Sequence, residues 1–545
     1  MGKSKIWVLI GVWTLMSHSA VAQTNRYVVY FTDKNDTEYT VDHPIAYLSQ
    51  RAIDRRENQN IEITSQDFPV NKSYVEAIQA LGVDTYFTSR WMNAVLVEAT
   101  PEQIETIEEQ TFVSKTDYAA PGQKLNTTPA PENTIFISND PTNPENLNSD
   151  IQLSMLQADL MLNDNITGEG VWVAVFDDGF LDANISSAFA HTFENDGLKD
   201  VFDFTTGGKN VFQYDAHGTS AWSCLGAKYN STLKGSAYNA SISLYVTEDV
   251  DTEYRIEEYN WLFAAERADS VGIDIITASL GYTDFDDPSM NYVIADLDGQ
   301  TAVVTQAAEM AIDRGILVVT SGGNSGTESW PYISMPADAP RVLSVGALTS
   351  GYDRVSFSSI GPTADDRIKP EVVALGVNVT VLAVGNVLDN KSGTSFAAPL
   401  VAGVAAGLWQ KFPTFTNLEL RDLILSSSDN FENPNNEVGY GLPSYNIAIG
   451  NEPLAVSKLV GEGISVFPNP VSGDHINLSI EKKDLPMPVN VRLLSPSGQL
   501  ISEQSIKKAR KGLVLELPFN GGSQGIYFLQ IECEDYSKNV KILRY

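Results

Sequence analysis

The sequence predicts an α/β fold, a parallel sheet covered by helices, with a small α+β unit before it and a small all-β sandwich after it. Three observations lead there. Between residues 151 and 450, β-rich apolar runs alternate with helical ones, the pattern of a sheet whose strands are joined by covering helices. Residues 27–118 mix strand-like stretches with short helical ones. Beyond residue 454 helical spacing gives way to short alternating runs, the mark of antiparallel strands.

The 545 residues suggest several domains. At the start, Lys3 and Lys5 precede an apolar run, Ile6 to Met16, too short to span a bilayer. Ala20-Val21-Ala22 follows as a cleavage pattern, so residues 1–22 are expected to be a secretory signal peptide. The α+β unit is expected within 23–118. Tyr27–Phe31 and Ala94–Glu98 are its strands, and Ala46–Glu57 and Tyr74–Leu81 its helices, the second stopped by Gly82. Thr100-Pro101 starts a further helix, Thr as N-cap and Pro in the first position. Residues 119–150 hold five prolines among Asn, Thr and Ser and are expected to be a linker. In the central domain, Val171–Phe176, Ile275–Ala278 and Ile316–Thr320 are expected as buried strands, and Phe396–Trp409 as a core helix despite Pro399. The tail, 455–545, carries Asn490–Leu494 and Ile526–Gln530 as strands, with Pro496-Ser497-Gly498 as a turn.

Charge narrows the function. With 36 Lys+Arg against 69 Asp+Glu, the net charge is −33, which removes nonspecific attraction to nucleic acid or anionic membranes. The tail departs from this: 11 basic and 9 acidic residues lie between 455 and 545. Two cysteines, Cys224 and Cys533, make no disulfide framework or thiolate zinc cluster, and each is expected as a small buried hydrophobe. Five histidines, none in an H-E-x-x-H pattern, leave no metallopeptidase motif.

Three motifs stand in order in the central domain. The strand Val173–Phe176 ends in Asp177-Asp178-Gly179, which presents Asp177 at the carboxyl end of a parallel sheet, where sites form. His217-Gly218-Thr219 follows 40 residues later. After a further 178 residues, Gly393-Thr394-Ser395-Phe396-Ala397-Ala398-Pro399 carries Ser395 into the start of an apolar helix, whose free N–H groups suit a developing oxyanion. A serine needs a base within reach to act as nucleophile, and the base needs a partner that fixes its tautomer.

This ordered set strongly resembles the subtilisin-like serine proteases, the subtilases, with their D-x-G, H-G-T and G-T-S-x-A-x-P patterns. The resemblance covers about 151–447 and implies a subtilisin-like sheet and an Asp177, His217, Ser395 triad acting through an acyl-enzyme. Ser321-Gly322-Gly323-Asn324-Ser325-Gly326 matches the family's oxyanion segment, which implies Asn324 as the donor. Ser279-Leu280-Gly281 resembles the segment lining the substrate cleft. Ser334-Met335-Pro336 stands near the floor of the main specificity pocket, where many subtilases have Gly-Tyr-Pro. Asp178 is a departure: the D-D-G form resembles the kexin and furin branch, where the second acid faces the substrate two residues before the scissile bond. A solvated turn aspartate is the other reading, and the sequence favours it. No catalytic cofactor is implied. Structural calcium is conceivable at acid-rich loops such as Asp284-Phe285-Asp286-Asp287, with no ligands fixed.

The flanks carry their own resemblances. Pro44–Ile53 and Ser89–Val95 are similar to propeptides of secreted Bacteroidetes subtilases, which implies a precursor whose propeptide is its own partner. Val466-Phe467-Pro468-Asn469-Pro470, Gly525–Leu529 and Lys538–Ile542 resemble a type IX secretion sorting domain, which implies passage through the periplasm, an outer-membrane secretion machinery as partner, and a secreted or cell-surface protein without a transmembrane segment. The expectation is a secreted serine endopeptidase acting on polypeptides. Its rival is a surface adhesion protein of the same fold without turnover.

Overall fold

The computed structural model describes residues 23–122, 138–145 and 147–450, and in the tail the strands and short segments within 464–467, 475–480, 488–495, 499–507, 513–518, 525–533 and 536–544. The expected signal peptide, half of the expected linker, Pro468–Pro470 and the 496–498 turn lie outside the described residues. Contacts divide the chain into two compact units, 1–445 and 446–545.

The first unit opens with a four-stranded antiparallel sheet of β1 (Asn25–Phe31), β2 (Asp84–Ser89), β3 (Ala94–Ala99) and β4 (Val113–Pro121), in the order β2-β3-β1-β4. Three helices flank it: α1 (Gln50–Asn58), α2 (Lys72–Gln79) and α3 (Pro101–Glu108). The expected helix from Ala46 begins later, at Gln50, because the Ser49 side chain accepts from Ala52 N and caps it there. Thr100 caps α3 as expected and forms a capping box with Gln103.

Successive strand residues point to opposite faces, and here both faces are covered. Val29, Phe31, Val95 and Val97 join Ile78, Ile104 and Ile107 in a core of the unit's own. Val28, Ala94, Leu96, Ala119 and Ala120 point the other way, into the core that contains Tyr259, Trp261 and Leu262 of the central domain. All six residues of β3 are therefore buried.

The central sheet has seven strands, all parallel: β5 (Trp172–Asp177), β6 (Leu198–Asp203), β7 (Ser241–Val246), β8 (Ile275–Ala278), β9 (Leu317–Ser321), β10 (Leu343–Leu348) and β11 (Val372–Leu375). Their order is β11-β10-β9-β8-β5-β7-β6. The order reverses around β5, and such a reversal opens a crevice at the carboxyl ends of the strands. Helices α4 (His217–Gly226), α5 (Ile256–Val271), α6 (Val303–Asp313) and α7 (Thr394–Lys411) pack on it. In α7 every residue from Thr394 to Trp409 is buried, which accounts for its Ala- and Gly-rich apolar sequence. Cys224 is buried on α4, as expected.

The second unit is all antiparallel. Ile464–Phe467, His475–Ile480 and Leu513–Pro518 form one sheet. Val489–Leu494, Leu500–Ile506, Gly525–Cys533 and Tyr536–Arg544 form the other. No helix among the described residues is long and apolar enough to cross a membrane.

Ser89–Val95, and helix α1, which starts within the Pro44–Ile53 stretch, grip α5. The backbone N–H groups of Arg90 and Trp91 donate to Glu266 at 2.8 and 3.2 Å, and Ser89 Oγ bonds the same carboxylate. Asp269, fully buried, receives Arg55 at 2.5 Å, Arg56 at 2.7 Å and Arg90 at 3.5 Å. Burial opposes the Asp269 charge, but these arginines outweigh it and hold the carboxyl at about 2. Asp269→Asn would leave three buried cations short of a counter-charge, a loss on the order of 3–5 kcal/mol. Denaturant unfolding should show that loss in the intact chain and a much smaller one once residues 23–122 are removed by cleavage, since the arginines leave with them.

Candidate active site

The site forms at the carboxyl edge of β5. Asp177 ends that strand and is fully buried. Its Oδ1 accepts from His217 Nδ1 at 2.7 Å and from the Asp178 N–H at 3.0 Å. His217 is the first residue of α4, and its backbone N–H is bonded by Asp215 Oδ1 at 2.9 Å. Gly218 lets the helix start this close to the strand. A Cβ there would lie 2.3 Å from Gly179 O and 2.8 Å from Asp177 Cβ.

Ser395 is the second residue of α7, so its N–H is among the unpaired donors of a helix N-terminus. Its Oγ lies 3.5 Å from Ser279 O, at the limit of a hydrogen bond, so little holds the hydroxyl away from another acceptor. Ser279 Oγ donates to Ser395 O at 2.7 Å and ties the cleft segment to this helix. Between His217 and Ser395 the described contacts include no hydrogen bond. The imidazole packs against the ring of the next residue, Phe396, 5.6 Å between centroids.

Asn324 is fixed by chemistry as well as position. Its Oδ1 accepts from Thr394 N at 2.9 Å and from Thr394 Oγ1 at 3.0 Å. Only the oxygen can accept from a backbone N–H, so the amide NH2 is turned the other way, beside Gly393 and the start of α7. Ser334 packs against the glycines of both neighbouring segments. A Cβ on Gly281 would fall 2.0 Å from Ser334 Oγ, and one on Gly323 would fall 3.3 Å from it. Tyr282 and Met335 exchange backbone bonds of 3.0 and 3.3 Å, and Ser321 Oγ donates to Leu280 O at 3.2 Å. The structure thus brings Ser279, Leu280, Gly281, Asn324 and Ser334 around the start of α7.

Asp178 is not the solvated turn residue that the sequence favours. It is half-buried, and its Oδ1 is buried with no hydrogen-bond partner among the described residues. Burial, then the neighbouring Asp177 charge, raises its pKa to about 8. On His217 burial opposes the charge, but Asp177 and Asp178 prevail and raise it to about 9. Asp177, Asp178 and His217 are also the one group of three or more such side chains, among the described residues, close enough to share a cation. The Asp284–Asp287 loop is not such a group. Its acids accept instead from Asn291, Glu253 N and Ser289 N.

The subtilase family profile matches residues 168–441, half of the chain, and spans all of these residues. The chain belongs to the subtilase family. Subtilisin BL of Lederbergia lenta is 30% identical over 284 residues, 52% of this chain and 92% of its own length. Subtilisin amylosacchariticus of Bacillus subtilis subsp. amylosacchariticus is 31% identical over 279 residues, 51% of this chain, and the match spans 65% of that relative. Subtilisin NAT of Bacillus subtilis subsp. natto is 32% identical over 280 residues, again 65% of its length. Residues 26–134 match the Bacteroidota propeptide domain of peptidase family S8, and 465–544 match a secretion system C-terminal sorting domain. The subtilase therefore carries its propeptide and a sorting tail, and the tail marks a secreted or cell-surface protein.

Sequence reasoning missed three contributors. Thr394 anchors Asn324 and was legible only as part of the G-T-S motif. Asp215 holds the His217 backbone and carries no motif. Glu248, two residues past the end of β7, had a signal, since acids at the carboxyl ends of parallel strands are site candidates.

Gly218→Ala should be destabilising by roughly 3 kcal/mol or more, because a methyl group cannot fit against a strand end without moving it. Loss of the Asp177–His217 bond should accompany it, read as a collapse of Ser395 reactivity that exceeds the fall in folded fraction. A base must be neutral to accept a proton, so hydrolysis should rise with pH through the raised His217 pKa rather than through the ordinary 6.5. Asp178→Asn removes one of the charges that raise it. The acid limb of the kcat/KM profile should then move to lower pH, and an unmoved limb would show that His217 does not feel Asp178.

Proposed function

We propose that the chain is a serine endopeptidase, secreted as a propeptide-covered precursor, that cleaves polypeptides with Asp177, His217 and Ser395 as its triad. The observation that carries this reading is the conjunction of two anchored groups beside Ser395. One is an imidazole held by a buried carboxylate at 2.7 Å, and the other an amide whose oxygen is tied to Thr394 so that its NH2 is free to donate.

The mechanism follows from the groups present. On substrate binding the Ser395 hydroxyl turns from Ser279 O to His217 Nε2, gives up its proton there, and Oγ attacks the peptide carbonyl carbon. Asp177 keeps the tautomer with Nδ1 protonated and stabilises the imidazolium. The carbonyl oxygen becomes an oxyanion held by Asn324 Nδ2 and the Ser395 N–H. Collapse breaks the C–N bond, and His217 gives its proton to the leaving amine. Water, deprotonated by His217, then releases the acid and restores Ser395. The exposed Gly281, whose N–H and C=O have no partner among the described residues, offers with Leu280 an edge on which an extended substrate can pair, with Ser334 at the base of the side-chain pocket. No step calls for a metal, and any calcium would be structural.

The domain limits follow the same reading: signal peptide 1–22, propeptide 23–118, linker 119–150, protease 151–450 and sorting domain 455–545. The partners are the propeptide, polypeptide substrates and an outer-membrane secretion machinery that takes the tail. The Glu266 and Asp269 contacts support a propeptide that folds against the protease.

Ser395→Ala should keep the fold and abolish both peptide hydrolysis and labelling by an organophosphorus reagent. Wild-type-like turnover in this variant would sink the triad. Asn324→Leu should lower kcat by about 10²–10³ with KM little changed, since the oxyanion exists only in the transition state. Truncation after residue 454 should leave an active protease that fails to leave the cell, because the second unit has a sheet core of its own. Normal extracellular appearance of the truncated chain would refute the export role.

A further inference from the structure

Residues 119–150 are expected as a linker, yet from Asn139 onward the chain is bonded into the protease. Asn139 makes a parallel bridge to Ser186, and Thr142 a parallel bridge to Val387. The Asn139 N–H donates to Ile185 O at 3.0 Å, and Asn139 O accepts from Ser187 N at 2.7 Å and from Asn386 Nδ2 at 3.1 Å. Thr142 N donates to Asn386 O at 3.1 Å, and Thr142 O accepts from Leu388 N at 2.8 Å. Between them Ser187 Oγ donates to Asp140 Oδ1 at 2.8 Å, and Pro141 is buried although Asn139 and Thr142 are exposed. Farther along, Asn148 O accepts from Thr380 Oγ1 at 2.9 Å, and the Gln152 amide exchanges bonds of 2.9 and 3.1 Å with the Thr380 backbone.

The two partners of this stretch both lead to the triad. Val379–Ala383 and Val387–Lys391 pair antiparallel as a hairpin of two strands. Its second strand runs on through Ser392 and Gly393 into the head of α7, where Ser395 stands. Two strands alone are marginal, and the parallel pairing of Thr142 adds a third. Ile185–Ser187 closes the loop that leaves Asp177 at the end of β5. Along that loop Leu181 O accepts from Thr219 Oγ1 of α4 at 2.8 Å, and Asp182 Oδ2 accepts from Gly385 N, at the tip of the hairpin, at 2.7 Å. Asn139 O, shared by Ser187 and Asn386, lies where loop and hairpin meet.

We propose that Asn139–Thr142 is a strap of the protease itself: the cut that frees the propeptide falls before Asn139, and the retained strap holds the hairpin that sets Ser395 against the Asp177 loop. The backbones of Asn139 and Thr142 are thus positioning groups, acting through Ser187 and Asn386. The positioning role rests on the endopeptidase reading, and the retention of the strap does not. All the partners of the strap are protease residues. Among the described residues no hydrogen bond joins 139–142 to 23–122, whose last strand, β4, pairs with β1 instead. The propeptide can therefore leave while the strap stays. A cut after Thr142 would strip the pairing from the hairpin and uncover Asn386 and Leu388, which are 7% and 1% exposed. Backbone groups that lose their partners in such a place are costly.

The test expresses the full chain, purifies the secreted enzyme and reads its N-terminus by sequencing and intact mass. A first residue at or before Asn139 is expected, and one beyond Asn139 overturns the strap. A second arm compares Thr142→Pro, which removes the N–H that Asn386 O accepts, with Thr142→Ala, which keeps it. Rates are taken per folded molecule, well below each melting temperature. In Thr142→Pro, kcat and the rate of Ser395 labelling by an organophosphorus reagent should fall together by roughly tenfold with KM within about twofold, because a displaced nucleophile slows the chemistry more than the binding. Thr142→Ala should restore both rates. Where Thr142→Pro does not fold, Asn386→Gly serves, since it keeps the left-handed backbone at that turn (φ 57°) and loses the amide bond to Asn139 O. Both rates should then fall at least about threefold. A strap that only stabilises would lower the melting temperature and leave both rates unchanged, which overturns the positioning role. The failures separate: an enzyme that neither labels nor cleaves any peptide sinks the endopeptidase reading, and its N-terminus still decides whether the strap is retained. An active enzyme that begins after Thr142 sinks only the strap.

Discussion

A buried carboxylate at the end of a parallel strand is the constraint on which the rest of this structure depends. Asp177 is out of water, and an isolated charge there would be costly. The Asp178 N–H and His217 Nδ1 supply the compensation on one oxygen, while the other has no partner among the described residues. The imidazole must therefore come to the strand, and that demand fixes the start of α4, the glycine after it and the turn it abuts. The sheet order does the same on a larger scale. Its reversal at β5 leaves β7 on one side and β8 on the other, so that Thr247, Ser279 and Asp177 share one rim. Placing Ser395 at the head of the buried helix α7 brings the remaining group to that rim, with its position set by packing rather than by a mobile loop.

How much of this was legible in the sequence depended on how local the cause was. The strand Ile275–Ala278 was read to the residue, because a short β-branched run with turns on both sides has one reading. Thr100 and Pro101 told where α3 begins, since capping is decided within three residues. The helix expected from Ala46 began four residues late, and the cause was again local: a serine cap inside an apparently continuous pattern. Asp177, His217, Asn324 and Ser395 could be proposed from the sequence because their motifs are contiguous. Asp178 misled, because exposure is a tertiary quantity. A turn aspartate looks solvated until the residues that cover it are known, and here the covering residues come from other parts of the chain.

The propeptide raises an electrostatic question. Residues 23–122 hold 8 Lys+Arg and 16 Asp+Glu, so the segment is acidic and should be repelled by an acidic protease. It is not uniformly acidic. Four of its eight cations, Arg51, Arg55, Arg56 and Arg90, turn toward the protease, against Asp269, Asp274 and Glu266. Most of its acids are exposed, in loops and on helices, where solvent screens them. The interface is thus selected by local complementarity against the overall charge. It also carries a strong penalty for partial separation, since Asp269 and the arginines around it would be left buried and unpaired before water could reach them.

That penalty bears on how such a precursor can be opened. A buried ion network holds until its partners are solvated together, so a gradual loosening of the propeptide gains little and costs much. Cutting the chain after β4 does not touch the network, and the severed unit keeps its own core of Val29, Val95, Ile78 and Ile107. Cutting inside the unit does touch it: with α1 detached, Arg55 and Arg56 leave, and Asp269 keeps only the longer contact to Arg90. The two kinds of cut therefore have different consequences. The first leaves a folded domain still bound through α5. The second removes most of the charges that bind it and most of the constraint that keeps β1 and β3 packed on Tyr259 and Leu262. Release is governed by the integrity of the arginine-bearing unit, and the bond that joins it to the protease is secondary.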